Sequence, residues 1–259
     1  MARSLLHDDT SEPDWAKFVT VKVGGTEPEF SSQTVDIDHA VTRDFLVHED
    51  LFRANSPFFE AALGRDFIEA HDRIVKLPEH TPEAFQVYLR WVYARRIVIP
   101  ITGDGEEMVK FSIMCRAYVL GDILQDVDFK DALIDAIIHR VLLDYYWPSK
   151  EAKYVYENTI KDAPLRRLLA AMTAADGLGV WDGNLEHLIN SVYGEEAQKY
   201  NTVEFLCDVM RLMHERMEAS TSRRSAEDED DELEWFEKTC RYHEHIEGKC
   251  YTTRIGVGE

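Results

Sequence analysis

The chain has 259 residues, with 29 Lys and Arg against 49 Asp and Glu, which gives a net charge of −20. Nucleic acids and anionic lipid surfaces draw affinity from Lys and Arg, so this balance argues against both as partners. Hydrophobic residues make up 45% of the chain, which is enough for one or two domains with a substantial core and excludes wholesale disorder.

Four cysteines, Cys115, Cys207, Cys240 and Cys250, are too few for a disulfide framework. They predict a reducing, intracellular compartment, either the nucleus or the cytoplasm. Cys115 and Cys207 lie in apolar, helix-like surroundings and are predicted to be buried thiols. The first residues lack the apolar core of a signal peptide, and no apolar run reaches the ~18 residues that cross a bilayer. We therefore expect no membrane association.

Short strands and short helices alternate in the first half of the chain. Alternating β-branched and apolar residues predict strands at Phe18–Val23, Phe45–Val47 and Arg73–Leu77. Ser56-Pro57 and Thr81-Pro82 each place a capping residue before a proline at the first helical position, and they predict two helix starts.

Large apolar side chains on these short elements require a shared core. They are Leu46, Phe58, Phe59, Leu63, Ile74, Phe85, Leu89 and Trp91. Each is worth roughly 1.5–3 kcal/mol when buried. A sheet of three short strands cannot bury them alone, so the pattern predicts a helical cap and an α+β fold.

The remainder of the chain is mainly helical. Apolar spacing predicts helices at Glu107–Leu124, Phe129–Tyr146, Leu165–Ala175, Leu185–Tyr193 and Val203–Met217. The first of these is apolar nearly all round and is expected to be buried. The last carries Met210, Met213 and Met217 at helical spacing, which we interpret as core packing rather than a partner groove.

The segment FLVHEDLFRANSPFFEAAL, from Phe45 to Leu63, carries a family resemblance. A strand ending in Phe-x-Val-His leads to a short helix and then to Ser-x-Phe-Phe. The match continues through Phe67–Ala70 and Arg73–Ile97, so the first half of the chain resembles the BTB/POZ family. The stretch Tyr154–Ala171 is similar to the helical region of fungal BTB-domain proteins. The implied fold is a small, mainly three-stranded sheet capped by helices, followed by an all-helical extension.

This resemblance suggests a division of the chain into five parts. They are a flexible N-terminus at 1–14, a BTB/POZ domain at 15–147, a helical extension at 148–219, an acidic linker at 220–234 and a Cys/His-containing tail at 235–259. The acidic run in the linker is expected to be a solvated segment rather than a docking site for a basic partner.

The resemblance implies a protein-interaction module and not an enzyme. Many members of the family dimerise, and many hold the scaffold of a cullin-type ubiquitin ligase and deliver a substrate to it. The cullin contact commonly uses a hydrophobic-x-Glu motif, which Phe67-Ile68-Glu69 matches. A core position for Phe67 with a solvated Glu69 is the alternative. A non-ligase scaffold or a transcription-associated protein also stays open, because no familiar substrate-recognition repeat follows.

A cluster of metal-ligand residue types lies near the end of the chain, in CRYHEHIEGKC. Cys240, His243, His245 and Cys250 supply the four Cys and His ligands that zinc favours in a tetrahedron. The two histidines would face the same way on an extended strand, and Gly248 would let the chain turn back. The spacing differs from that of common zinc fingers. A polar tail without a ligand, or a cysteine pair packed on the helices, is the alternative.

Sequence support for catalysis is weak. The chain has no nucleophile elbow, phosphate-binding loop or dinucleotide fingerprint, so an enzyme is our last-ranked hypothesis. His48, between a strand and a helix, is interpreted as a structural hydrogen-bonding residue.

Overall fold

The computed structural model describes residues 14–25, 42–64, 67–99, 107–144, 151–177, 201–222, 239–246 and 249–255. Within these residues the fold is of the predicted α+β class, with one small sheet and mainly helices. The sheet contains β1 (Phe18–Val23), β2 (Arg43–His48) and β3 (Ile74–Leu77). Strand β1 is central, antiparallel to β2 and parallel to β3. The three predicted strands are therefore confirmed.

Helices make up most of the described chain. They are α1 (Glu49–Asn55), α2 (Pro57–Leu63), α3 (Ile68–Asp72), α4 (Pro82–Ala94), α5 (Glu107–Leu124), α6 (Val127–Asp144), α7 (Ala152–Asn158), α8 (Pro164–Gly177), α9 (Val203–Ser222) and α10 (Tyr251–Ile255), with a 3-10 helix at Thr239–Tyr242. The predicted helix at 185–193 and most of the predicted flexible N-terminus and acidic linker lie outside the described residues. None of the described helices combines the length and the apolar run that a bilayer crossing requires.

The two helix starts predicted from Ser/Thr-Pro pairs are confirmed. The Ser56 hydroxyl accepts the Phe59 backbone N–H at 3.2 Å, and the Thr81 hydroxyl accepts the Ala84 N–H at 3.3 Å. Each hydroxyl thus satisfies a backbone donor that the first turn of a helix leaves unpaired.

The inner face of the sheet packs against the helices. Val19, Val21 and Val23 alternate along β1 and are fully buried, as are Phe85 and Trp91 on α4. Helix α5 is buried over nearly its whole described surface, as its all-round apolar pattern predicts.

The prediction that Leu46 is a core residue is wrong. Its side chain is 68% exposed, because strand β2 lies at an edge of the sheet and Leu46 points to the outer face. Its neighbour Val47 points inward and is buried. Side chains alternate between the two faces of a strand, so a run of three apolar residues always leaves one on the wrong side.

Helix α9 corrects two further expectations. Cys207 is exposed rather than buried, and Met210 and Met217 are each more than half exposed. The helix packs mainly on α8, and the stripe that includes Phe205 and Val209 faces that contact. At 100° per residue the two methionines and the cysteine fall outside this stripe.

The interpretation of His48 as a structural residue agrees with its contacts. Its backbone N–H donates to the Tyr93 hydroxyl at 3.2 Å, and its ring Nδ1 lies 2.7 Å from the same oxygen. Trp15 and Phe18 pack against the imidazole ring.

Candidate metal centre

The C-terminal segment, defined here as residues 239–255, brings the four predicted ligands together. The 3-10 helix carries Cys240, the turn after it carries His243 and His245, and Cys250 directly precedes α10. One potential ligand atom from each of the four lies within 4.8 Å of the others. The four residues that the sequence suggests as ligands could therefore hold one metal ion.

Two separations between donor atoms, both from His243 Nδ1, match the edges of a tetrahedral ion. His245 Nε2 lies 3.1 Å from His243 Nδ1, and Cys250 Sγ lies 3.7 Å from the same Nδ1. A tetrahedral zinc ion with Zn–N of about 2.05 Å and Zn–S of about 2.3 Å has N–N and N–S edges of about 3.3 and 3.6 Å. The measured distances differ from these edges by about 0.2 Å or less.

The hydrogen bonds of the two imidazoles define which nitrogens face each other. His243 Nε2 lies 2.9 Å from a carboxylate oxygen of Asp135, and His245 Nδ1 lies 3.0 Å from the Ile246 carbonyl oxygen. An ionised carboxylate and a carbonyl only accept, so these two nitrogens carry the N–H groups. In neutral rings, the opposed nitrogens of His243 and His245 then both present lone pairs across 3.1 Å. A cation between them would remove that conflict, and such outer-shell acceptors are typical of metal-bound histidines.

Asp135 also fixes the helix that follows the cluster. The Tyr251 hydroxyl donates to its second carboxylate oxygen at 2.6 Å, and the Tyr251 ring packs on Trp91 with the centroids 5.8 Å apart. The same carboxylate thereby orients a candidate ligand and connects α10 to α6.

A buried ion-pair network holds the turn between the two histidines. The Glu244 carboxylate accepts from Lys130 Nζ at 2.7 Å, and the same ammonium contacts Asp122 at 2.6 Å. The Glu244 backbone N–H donates to Asp131 at 2.8 Å. The Lys130 side chain is 5% exposed, so its charge is largely removed from water and requires these carboxylates. Glu244 thus attaches the C-terminal segment to α6 through both its side chain and its backbone, and Lys130 connects this contact to Asp122 on α5.

The two thiols of the cluster have different electrostatics. Burial disfavours the Cys250 thiolate, but hydrogen bonds to Thr252 and His243 outweigh burial and lower the pKa of this thiol. Burial and the adjacent Cys250 sulfur raise the pKa of the Cys240 thiol to about 11. Burial also acts against a charged His243, yet the hydrogen bond to Asp135 prevails and raises the pKa of that imidazole. A bound divalent cation would favour the thiolates and the unprotonated imidazoles together.

The partners on α6 were not found by sequence reasoning. Asp131 and Asp135 are one helical turn apart, within a helix whose other residues from Phe129 to Val141 are largely apolar and buried. Two carboxylates spaced by four residues on such a helix are the signal that would have indicated a buried polar contact.

The second predicted site lies at the start of α3. Phe67 and Ile68 are 58% and 73% exposed, and Glu69 is half-buried. Phe67 and Ile68 border a surface depression that Arg53 and His71 also line. The alternative that placed Phe67 in the core is wrong, because this residue directly precedes α3 and its side chain is more than half exposed.

Comparisons of the chain with protein-family models, with curated proteins and with solved structures found no match. The resemblance drawn from the residues therefore stays a prediction.

Proposed function

We propose that the chain is a protein-interaction module of the BTB/POZ type whose C-terminal segment is held in place by one structural zinc ion. The observation that carries the zinc proposal is the convergence of two imidazoles and two thiols, with one potential ligand atom from each within 4.8 Å of the others and a hydrogen-bond acceptor behind each imidazole ring. Two thiols complete a closed set of four protein ligands, which is typical of structural rather than catalytic zinc.

The metal content of the purified full chain tests the zinc proposal. We expect about one zinc per chain, and a cobalt(II)-loaded form with the absorption of a tetrahedral thiolate site. Cys240→Ser should lose the metal, whereas Cys207→Ser, which changes an exposed cysteine outside the cluster, should keep it. A metal-free wild type, or a Cys240→Ser variant that binds zinc as tightly as wild type, contradicts the proposal.

The interaction proposal is supported by the order of the elements and by two exposed surfaces. The described residues contain a small three-stranded sheet and mostly helices, which is compatible with the sheet capped by helices that the resemblance implies. Phe67 and Ile68 form an exposed apolar patch beside Glu69. The patch could pack against apolar residues of a cullin-type scaffold, and Glu69 could pair with a basic residue there. On the outer face of the sheet, Phe18 and Leu46 suit a second copy of the chain.

Capture with a cullin scaffold tests the adaptor role. The variant Phe67→Ala/Glu69→Ala should lose at least tenfold in capture. Ile160→Ala, which shortens an exposed apolar side chain between α7 and α8, should bind as wild type does. Equal capture of both variants, or none of the wild type, removes the ligase role and favours the non-ligase scaffold. Light scattering of the wild type and of Leu46→Glu tests self-association separately. We expect the wild type to have the mass of a dimer and the variant that of a monomer. A variant with the same dimer mass as the wild type excludes this sheet face as the interface.

A further inference from the structure

The two candidate sulfur ligands occupy different environments. Cys240 is exposed on the short 3-10 helix, while Cys250 is buried at the start of α10. Their sulfur atoms nevertheless lie within 4.8 Å of each other. A small oxidant in solution therefore reaches one sulfur directly, and the second sulfur is close enough to react with the first.

The metal-bound and the oxidised arrangements of these sulfurs exclude each other. Two thiolates on a tetrahedral zinc ion are about 3.8 Å apart, whereas a disulfide needs about 2.05 Å. A disulfide sulfur also lacks the anionic lone pair that binds the metal. Oxidation of this pair thus removes two of the four ligands in one event, and two histidines alone hold zinc weakly.

From this geometry we propose that the cluster is a redox-sensitive metal clasp, in which peroxide converts the Cys240 and Cys250 thiolates to a disulfide and releases the zinc ion. The inference rests on the proposed zinc function and assigns its regulation. In the first step the Cys240 sulfur attacks the peroxide O–O bond, forms a sulfenic acid and releases hydroxide, which a proton converts to water. In the second step the Cys250 thiolate attacks the sulfenic sulfur, the S–S bond forms, and hydroxide leaves and takes up a second proton.

The balance is two thiolates, one hydrogen peroxide and two protons giving one disulfide and two water molecules, with Zn²⁺ set free. The peroxide is the two-electron oxidant, and the two sulfurs are each oxidised by one electron. The other two cysteines are not part of the cluster, since Cys115 is buried on α5 and Cys207 lies on α9.

The test uses the zinc-loaded full chain treated with one equivalent of hydrogen peroxide and a chromogenic zinc chelator. We expect about one zinc released per two thiols lost, a Cys240–Cys250 disulfide in the peptide map, and recovery of zinc binding after reduction. The matched control Cys207→Ser should release zinc to the same extent. Zinc that stays bound after peroxide, or leaves while Cys240 becomes a sulfinic acid without a disulfide, overturns the inference.

The metal content of the reduced protein, measured first, separates the two proposals. A reduced chain that binds no zinc contradicts both the structural-zinc proposal and the proposal of peroxide-driven release. A chain that binds one zinc and keeps it in the presence of peroxide contradicts the second proposal alone.

Discussion

Asp135 contributes to the candidate metal centre without being one of its four ligands. One of its carboxylate oxygens orients His243, and the other accepts the Tyr251 hydroxyl. Acceptors of this kind fix the tautomer of a ligating histidine and increase its basicity. The affinity of the site should therefore depend on this residue.

We expect Asp135→Asn to weaken zinc binding by about 10–100-fold, in line with other outer-shell changes. The physical reason is that an amide accepts less strongly from the His243 N–H and carries no charge. Competition titration against a chelator measures the change. Glu79→Gln, which removes the charge of an exposed residue between β3 and α4, should change the affinity less than threefold. Equal losses in both variants would assign the effect to net charge.

A second residue-scale prediction concerns Asp126, at the start of α6. One oxygen accepts the Phe129 N–H at 2.9 Å, and the side chain is almost completely buried. Burial raises the pKa of Asp126 from 3.8 to about 6. The folded chain thus holds this proton more tightly than the unfolded chain. The associated stability is fully present below pH 3.8 and is lost as the pH rises through 6.

The shift corresponds to about 3 kcal/mol in the free energy of unfolding. We expect Asp126→Asn to gain up to that amount relative to wild type between pH 4 and pH 7. Urea unfolding of both proteins at the two pH values, with chelator present throughout, measures the difference. A wild-type minus variant difference that does not change with pH contradicts the raised pKa.

At the scale of elements, the start of α2 is connected to the end of α5. The Ser56 hydroxyl accepts the Phe59 N–H and also donates to the Leu124 carbonyl oxygen at 2.6 Å. It is fully buried, so water cannot replace it there. Thr81 has the same capping contact at the start of α4, and among the described residues its hydroxyl makes no second hydrogen bond.

We expect Ser56→Ala to destabilise the fold by about 2–3 kcal/mol and Thr81→Ala by about 1 kcal/mol. The larger cost arises because Ser56→Ala leaves both a helix donor and the Leu124 carbonyl unpaired in the core. Denaturant unfolding of the two variants at one pH provides the comparison. Equal destabilisation would mean that the α2–α5 hydrogen bond adds nothing beyond the cap.

At the scale of the whole molecule, a C-terminal segment of mainly polar residues is packed against the helical core. Its described contacts run to α5, α6 and α8, and Tyr251 reaches Trp91 on α4. Tyr242, Cys250 and Tyr251 bury apolar surface in the core, and the remaining side-chain contacts are hydrogen bonds and ion pairs. Ion pairs of this kind lose much of their stabilising effect once they become hydrated. The proposed zinc ion would supply the cross-link that such short elements lack.

Chelation of the zinc should therefore loosen this segment more than the rest of the chain. We expect amide hydrogen exchange in residues 239–255 to accelerate at least tenfold and exchange in α1 and α2 to stay unchanged. Exchange measured by mass spectrometry with and without chelator, followed by zinc addition, checks both the effect and its reversal. Unchanged protection of residues 239–255 after complete chelation would show that the polar contacts alone hold the segment.

Short-range patterns along the chain were enough to predict the local elements and the residue types of the candidate site. Capping residues before prolines, strand alternation and the all-round apolar α5 depend on short-range geometry, which a single chain pattern records. The four Cys and His residues near the C-terminus could likewise be chosen from their chemistry. These predictions did not depend on how the helices and strands pack against each other.

Which side chains are buried, and which distant residues form contacts, depends on how the elements pack together. Leu46 and Met210 are as apolar as buried neighbours, but nothing among the described elements covers the outer face of β2 or that side of α9. Asp135 and His243 are 108 residues apart, and their contact depends on how the C-terminal segment docks on α6. Burial and long-range hydrogen bonds are properties of the assembled core, so no local pattern contains them.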